Sequence, residues 1–242
     1  MVERVRSRRP RSPLLAAFLA LAIGTVLSAC TAFGGASSPT VGSHSTTAPS
    51  PSATASPRTV TAAAIGDSIA IGYGVPASDA WPLLAADRLG WTLNDFAESG
   101  AGFTVPGLNT HTFDDQVSAV IRLHPDVVIV GATRNDVSAA TPALDRAARA
   151  ALHRLRDALP HARIIGVSAL WGSDPAPAQV PVISRTVREA VLDVGGSWVE
   201  LGQPFEGHPG LLISDQVHPT VEGQRLIAGA VVRAIDAERS DH

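Results

Sequence analysis

Lysine is absent from the 242 residues, and all 19 basic side chains are arginine. This reads as coding bias rather than chemistry. There is a single cysteine, so no disulfide can form within the chain. A basic excess is also missing: the formal net charge of −3 gives no electrostatic reason to expect nucleic acid. Aromatic residues make up only 5% of the chain. Long uncharged apolar runs are scarce, and the one at residues 14–29 (LLAAFLALAIGTVLSA) is shorter than the ~20 residues a membrane span needs.

That run is informative by its flanks. Residues 1–13 (MVERVRSRRPRSP) carry five arginines ahead of it, and Leu27-Ser28-Ala29-Cys30 closes it. A basic start, a short apolar stretch and small residues at the end describe a signal peptide over residues 1–29. The ending resembles a bacterial lipobox, in which Cys30 is lipidated and becomes the first mature residue. The alternatives are a secretory signal cut nearby or an uncleaved anchor. Arg8-Arg9 also suggests twin-arginine export, against which Pro10 and the missing downstream pattern stand.

Residues 30–57 continue as lipidated Cys30 plus a linker rich in Ser, Thr, Pro, Ala and Gly. Phe33 and Val41 are its only larger apolar side chains, too few to bury a core. A folded domain is expected over residues 58–239. There, apolar runs of β type alternate with helical periodicity. Strands are expected over 59–65, 92–97, 126–130, 163–168 and 197–201, and helices over 79–89, 114–123, 142–159, 180–194 and 220–237. The run DVVIV at 126–130 is the strongest buried strand, and PALDRAARAALHRLRDAL at 142–159 the clearest amphipathic helix. Strict alternation predicts a parallel sheet covered on both faces.

Ligands of such sheets bind beyond the carboxyl ends of the strands. Three stretches fall there. Gly66-Asp67-Ser68 follows the first strand, Ser99-Gly100-Ala101-Gly102 the second, and Arg134-Asn135-Asp136 the third. A serine hydroxyl becomes a nucleophile when a neutral imidazole takes its proton and a carboxylate orients that imidazole. Asp215-Gln216-Val217-His218 supplies both close to the end of the chain. Its Asp can turn back onto His218 Nδ1 and leave Nε2 for Ser68. Asp215 and His218 alone would also suit a capping pair or two metal ligands. His44, His111, His124, His153, His161, His208 and His242 have no such neighbour in sequence and read as surface residues. The backbone N–H groups of Ser68 and a glycine, with the Asn135 amide, would receive a developing oxyanion.

These blocks resemble those of the SGNH hydrolases, the GDSL-type esterase and lipase superfamily. The correspondence covers about residues 59–238 and includes Gly66-Asp67-Ser68-Ile69, Ser99-Gly100, Asn135-Asp136 and Asp215-x-x-His218-Pro219. Residues 69–90 also resemble the arylesterase and thioesterase branch. The resemblance implies a three-layer α/β/α sandwich with a five-stranded parallel sheet of SGNH/flavodoxin-like type. It implies Ser68 as nucleophile, His218 as base and Asp215 as its partner. It further implies an oxyanion hole from Ser68 N–H, Gly100 N–H and the Asn135 amide, with no metal or organic cofactor. Two departures stand out. Arg134 occupies a position usually held by a smaller residue, and Gly102 competes with Gly100, which is preferred because Ser99 precedes it. The ordinary α/β-hydrolase elbow does not fit, because Ala70 replaces its last glycine.

The expected activity is that of a serine esterase lipid-anchored to the outer face of the cytoplasmic membrane, hydrolysing carboxylic esters with short acyl groups favoured. Its partner would be an ester substrate such as an O-acylated envelope glycan or lipid. An acyltransferase using the same residues, or a non-catalytic binding lipoprotein, are the alternatives. Trp171 and Phe103 would line the pocket or belong to the core. A histidine base normally titrates near ~6.5, so activity should fall below that pH.

Overall fold

The computed structural model describes residues 58–240. The signal peptide, Cys30 and the linker expected over residues 1–57 lie outside the described residues. Five strands form one parallel sheet: β1 (Val60–Ile65), β2 (Trp91–Asp95), β3 (Val127–Gly131), β4 (Arg163–Val167) and β5 (Ser197–Val199). Their spatial order is β2-β1-β3-β4-β5. Five helices connect them: α1 (Trp81–Leu89), α2 (Phe113–Leu123), α3 (Thr141–Ala158), α4 (Gln179–Asp193) and α5 (Val221–Ser240). Among the described residues, no helix is long and apolar enough to cross a membrane.

The alternation of side chains along a strand sorts the sheet into two faces. Ala63, Ile65, Val128 and Val130 join a core with Phe113, Leu144 and Ile183, so α2, α3 and α4 cover that side. Ala62, Val127, Ile129 and Ile165 join the other core with Ala85, Ile227, Val231 and Ile235, so α1 and α5 cover the opposite side. The architecture is a three-layer α/β/α sandwich, as the family resemblance implies, with the parallel sheet covered on both faces that the alternating pattern predicts. Element ends match to within a few residues. Pro82 sits in the first turn of α1, where its missing N–H costs no helical bond.

The sheet order reverses between β1 and β3, because β1 leads outward to β2 and the chain then crosses back. This is the place where an open parallel sheet leaves a crevice. Ser68 follows β1 and Asn135 follows β3, on either side of it.

Candidate active site

The turn that carries Ser68 is built by hydrogen bonding rather than by a helix. From Ser68 the chain runs through turns, and α1 begins only at Trp81. Gly72 and Gly74 (φ 73° and 83°) explain why: a left-handed backbone interrupts helical continuation there. Asp67 is buried and holds the turn from inside. Its Oδ1 accepts from Ile69 N at 2.9 Å and its Oδ2 from Thr133 Oγ1 at 2.5 Å. Burial pushes the Asp67 carboxyl above its ordinary value, against the hydrogen bonds from Thr133 and Ile69. Two buried amides clamp the same segment. Gln116 of α2 binds Gly66, and Gln224 of α5 donates to Ile69 O at 3.1 Å and accepts from Trp81 N at 2.9 Å.

Asp215 and His218 ride on a loop ahead of α5. Leu212 and Pro219 close it with an antiparallel bridge, and Ile213 N donates to His218 O at 2.8 Å. Gln216 takes a left-handed φ of 58°, which tightens the turn. Asp215 Oδ1 then accepts from Val217 N and His218 N at 2.9 and 3.0 Å, and its Oδ2 meets His218 Nδ1 at 2.7 Å. Burial works against the Asp215 charge, but the hydrogen bonds from the His218 backbone and ring and from Val217 outweigh it and hold the carboxyl at about 2. With Nδ1 donating to that carboxylate, Nε2 is the free position, and it lies 2.8 Å from Ser68 Oγ. Tyr73 packs against the imidazole, ring centroids 4.5 Å apart.

Ser68, Gly100, Asn135 and His218 line one cleft of about 290 Å³, together with Tyr73, Ser99, Leu108, Arg134 and Val217. Gly100 has φ 80°, a conformation natural to glycine. Among the described residues, no protein acceptor engages the N–H of Ser68 or of Gly100. One hydrogen of the Asn135 amide goes to Ala101 O at 2.9 Å, which fixes the amide and leaves its second N–H available. Gly102 has a different task. A Cβ there would lie 2.8 Å from Asp136 Oδ1, so its closeness to that carboxylate is what demands glycine.

Several residues escaped the sequence reading. Asp136 is fully buried and collects Phe103 N, Thr104 N and Thr104 Oγ1 at 3.0, 2.9 and 2.6 Å, anchoring the loop behind Gly100. Glu98 straps the far end of that loop through Asn109 N and His111 Nδ1 at 2.6 and 2.8 Å. Burial works against the Glu98 charge, but those bonds win and lower its pKa. His111 therefore has a carboxylate partner, and His153 has one in Asp193 at 2.9 Å, contrary to the sequence expectation. Glu98 lies 13 positions before His111 in the same connection and Asp193 lies on another helix, 40 positions from His153, both beyond the reach of local spacing. Phe103 belongs to the core, edge-on to Phe113, whereas half-buried Trp171 stacks with Arg134. Among the described residues no three His, Cys, Asp or Glu side chains converge as a metal site.

Residues 64–226, well over half of the chain, match the GDSL-like Lipase/Acylhydrolase family model. A search of curated protein sequences finds no match. Among solved structures, the fold is similar to a family two carbohydrate esterase from Clostridium thermocellum in complex with cellohexaose. That pair shares 21% identity and a TM-score of 0.60, covering 77% of this chain and 67% of the other. The psychrotrophic esterase EstA from Pseudoalteromonas sp., inhibited by monoethylphosphonate, shares 17% identity at a TM-score of 0.61, with 75% and 99% covered. A family two carbohydrate esterase from Cellvibrio japonicus shares 16% identity at 0.59, with 74% and 62% covered. The chain spans about two thirds of the length of the carbohydrate esterases it matches.

Proposed function

The chain belongs to the GDSL-like lipase/acylhydrolase family, and on that premise we propose that it is a serine ester hydrolase. The observation that carries this reading is the continuous chain from Asp215 through His218 to Ser68, with contacts of 2.7 and 2.8 Å. Ser68 Oγ attacks the ester carbonyl as its proton passes to His218 Nε2. The carbonyl oxygen becomes an oxyanion facing the N–H groups of Ser68 and Gly100 and the Asn135 amide. The tetrahedral intermediate collapses, and His218 gives its proton to the departing alcohol. Water then loses a proton to the same nitrogen, attacks the acyl-enzyme and releases the acid.

The cleft supports short acyl groups. Leu108 and Val217 are its aliphatic side chains, and its volume is about 290 Å³. A chain-length series of nitrophenyl esters checks this, and a preference for palmitate over acetate would defeat it. Export and anchoring through Cys30 are part of the same reading, supported by the basic start, short apolar run and closing Leu27-Ser28-Ala29-Cys30. They favour esters of the envelope, such as O-acylated glycans or lipids, and the cellohexaose complex of the clostridial relative is in keeping with a glycan. Fatty-acid labelling that survives Cys30→Ala would sink the anchoring.

The decisive experiment is intact mass of the purified protein after a fluorophosphonate probe, beside Ser68→Ala. One adduct, lost in the variant, is expected. A well-folded protein that takes no adduct is not a serine hydrolase as proposed.

A further inference from the structure

The chemistry just described leaves one charged group on the cleft wall without a task. Arg134 lines the same cleft as Ser68, Gly100, Asn135 and His218. Its guanidinium carbon lies 3.8 Å from the centroid of the Trp171 ring. The Trp171 main chain is itself tied down, its backbone N–H donating to Gln203 Oε1 at 2.9 Å. The following residue, Gly172, packs directly on the catalytic loop: a Cβ there would lie 2.4 Å from Gln216 O and 4.0 Å from Arg134 Nη1. The guanidinium is thus held at a fixed place beside the acid-base loop.

It is held there without an anion. Nη1 is enclosed yet has no hydrogen-bond partner among the described residues. The two carboxylates that act on Arg134 are Asp67 and Asp215. Both are committed elsewhere: Asp67 to Ile69 N and Thr133 Oγ1, Asp215 to Val217 N, His218 N and the His218 ring. A half-buried guanidinium has given up water and gained a stacking surface and the field of two carboxylates bonded elsewhere, but no hydrogen bond among the described residues, which is unfavourable unless its donors find an acceptor. Stacking occupies one face of the plane and Nη1 is turned inward, so the remainder of the guanidinium is what meets the cleft that Arg134 lines. A guanidinium presents N–H groups that match the oxygens of a carboxylate or phosphate.

Resting on the ester-hydrolase reading of this site, we propose that Arg134 is a specificity residue that receives an oxyanion, carboxylate or phosphate, borne by the ester substrate near its scissile bond. The substrate class is then an anionic ester. Neutral esters still reach Ser68, but they leave the guanidinium unpaired and react with a lower kcat/KM.

The test uses matched esters and the full-length protein. Methyl 4-acetoxybenzoate and 4-acetoxybenzoate differ by a carboxylate on the alcohol side. Replacing the carboxylate by 4-acetoxyphenyl phosphate, with 4-methoxyphenyl acetate as its neutral partner, separates phosphate from carboxylate. Mono(4-nitrophenyl) adipate against 4-nitrophenyl hexanoate moves the charge to the acyl side. For at least one pair, the anionic-to-neutral ratio of kcat/KM should fall about ten- to a hundred-fold in Arg134→Gln, the range expected for a lost charge-assisted bond. Arg134→Lys should restore part of it, and raised salt should shrink the wild-type ratio. Ratios that are the same in wild type and Arg134→Gln for all three pairs overturn the proposal, even if every rate falls together, since that is what a purely structural stack on Trp171 would give. If the wild type hydrolyses none of these esters and takes no fluorophosphonate, the hydrolase reading fails and takes this one with it. Probe uptake at Ser68 with a flat ratio rejects Arg134 alone.

Discussion

Gln116 holds Gly66 by both of its peptide groups: Oε1 accepts from Gly66 N at 2.9 Å and Nε2 donates to Gly66 O at 3.0 Å. One helical side chain thereby fixes the strand end two residues before Ser68. Gly66 O has a second donor in Glu98 N at 3.1 Å, but its N–H has only Gln116. Gln116→Ala strands that buried N–H and empties a packed position. The expected cost is on the order of 3 kcal/mol in urea unfolding. In the protein that still folds, kcat should fall roughly tenfold because Ser68 is no longer held in register.

Asn135→Ala tests the oxyanion site. Its amide is aimed by the bond to Ala101 O and by Thr133 Oγ1, which accepts from Asn135 N at 3.1 Å. Loss of such a donor should lower kcat about 10²–10³-fold with little change in KM. Steady-state kinetics on a nitrophenyl ester measures this, and equal losses in binding and turnover would remove Asn135 from the transition state.

Asp215 carries a charge through the whole working range, since its carboxyl is held at about 2. A lowered carboxyl stabilises the folded state above its unfolded value of ~3.9, and that contribution fades as pH falls toward 2. Solvent screening keeps that contribution small at this part-exposed side chain, so Asp215→Asn should cost activity far more than stability. The asparagine amide can present N–H where the carboxylate accepts, favouring the wrong imidazole tautomer, and kcat should drop about 10³–10⁴-fold. The side chain is 37% exposed, so the melting temperature at pH 7 should move little.

The residues that perform the proposed chemistry were legible because their signals are local. Gly66-Asp67-Ser68 directly follows a strand, and Asp215 reaches His218 within one turn. The residues that hold them in place were not, because their partners are remote in sequence. Gln116 acts across 50 positions, Gln224 across 155, Asp67 on Thr133 across 66 and Asp136 on Phe103 across 33. A glutamine inside an amphipathic helix pattern looks like any polar residue until the fold brings a backbone group to it. The turns between Ser68 and α1 were not legible for a related reason: Gly72 and Gly74 adopt left-handed φ, and the packing of this segment against Ala80 and Ile213 is a tertiary matter.

Asp95, at the end of β2, gives a pH-dependent stability prediction of the opposite sign. Burial lifts its carboxyl to about 6, against the hydrogen bond from Ala97 N. A raised carboxyl favours folding while it is protonated, and this advantage is lost as pH rises from about 4 through 6. Asp95→Asn keeps an acceptor for Ala97 N and removes the charge. Because the side chain is only half-buried, the gain should be about 1–2 kcal/mol at pH 7.5, or roughly 3–6 °C in Tm, and should vanish at pH 4. Thermal melts of both proteins at the two pH values decide it, and an equal shift at both would contradict the assignment.

Ser68 and His218 are 150 positions apart, and Gln224 of the last helix pins Ile69 beside the nucleophile. The reactive centre is therefore stitched from the two ends of the domain. A polypeptide emerging from a ribosome exposes its serine first, but the imidazole arrives 150 positions later. The proposed hydrolysis therefore requires α5 to have docked, and turnover would double as a certificate of that docking.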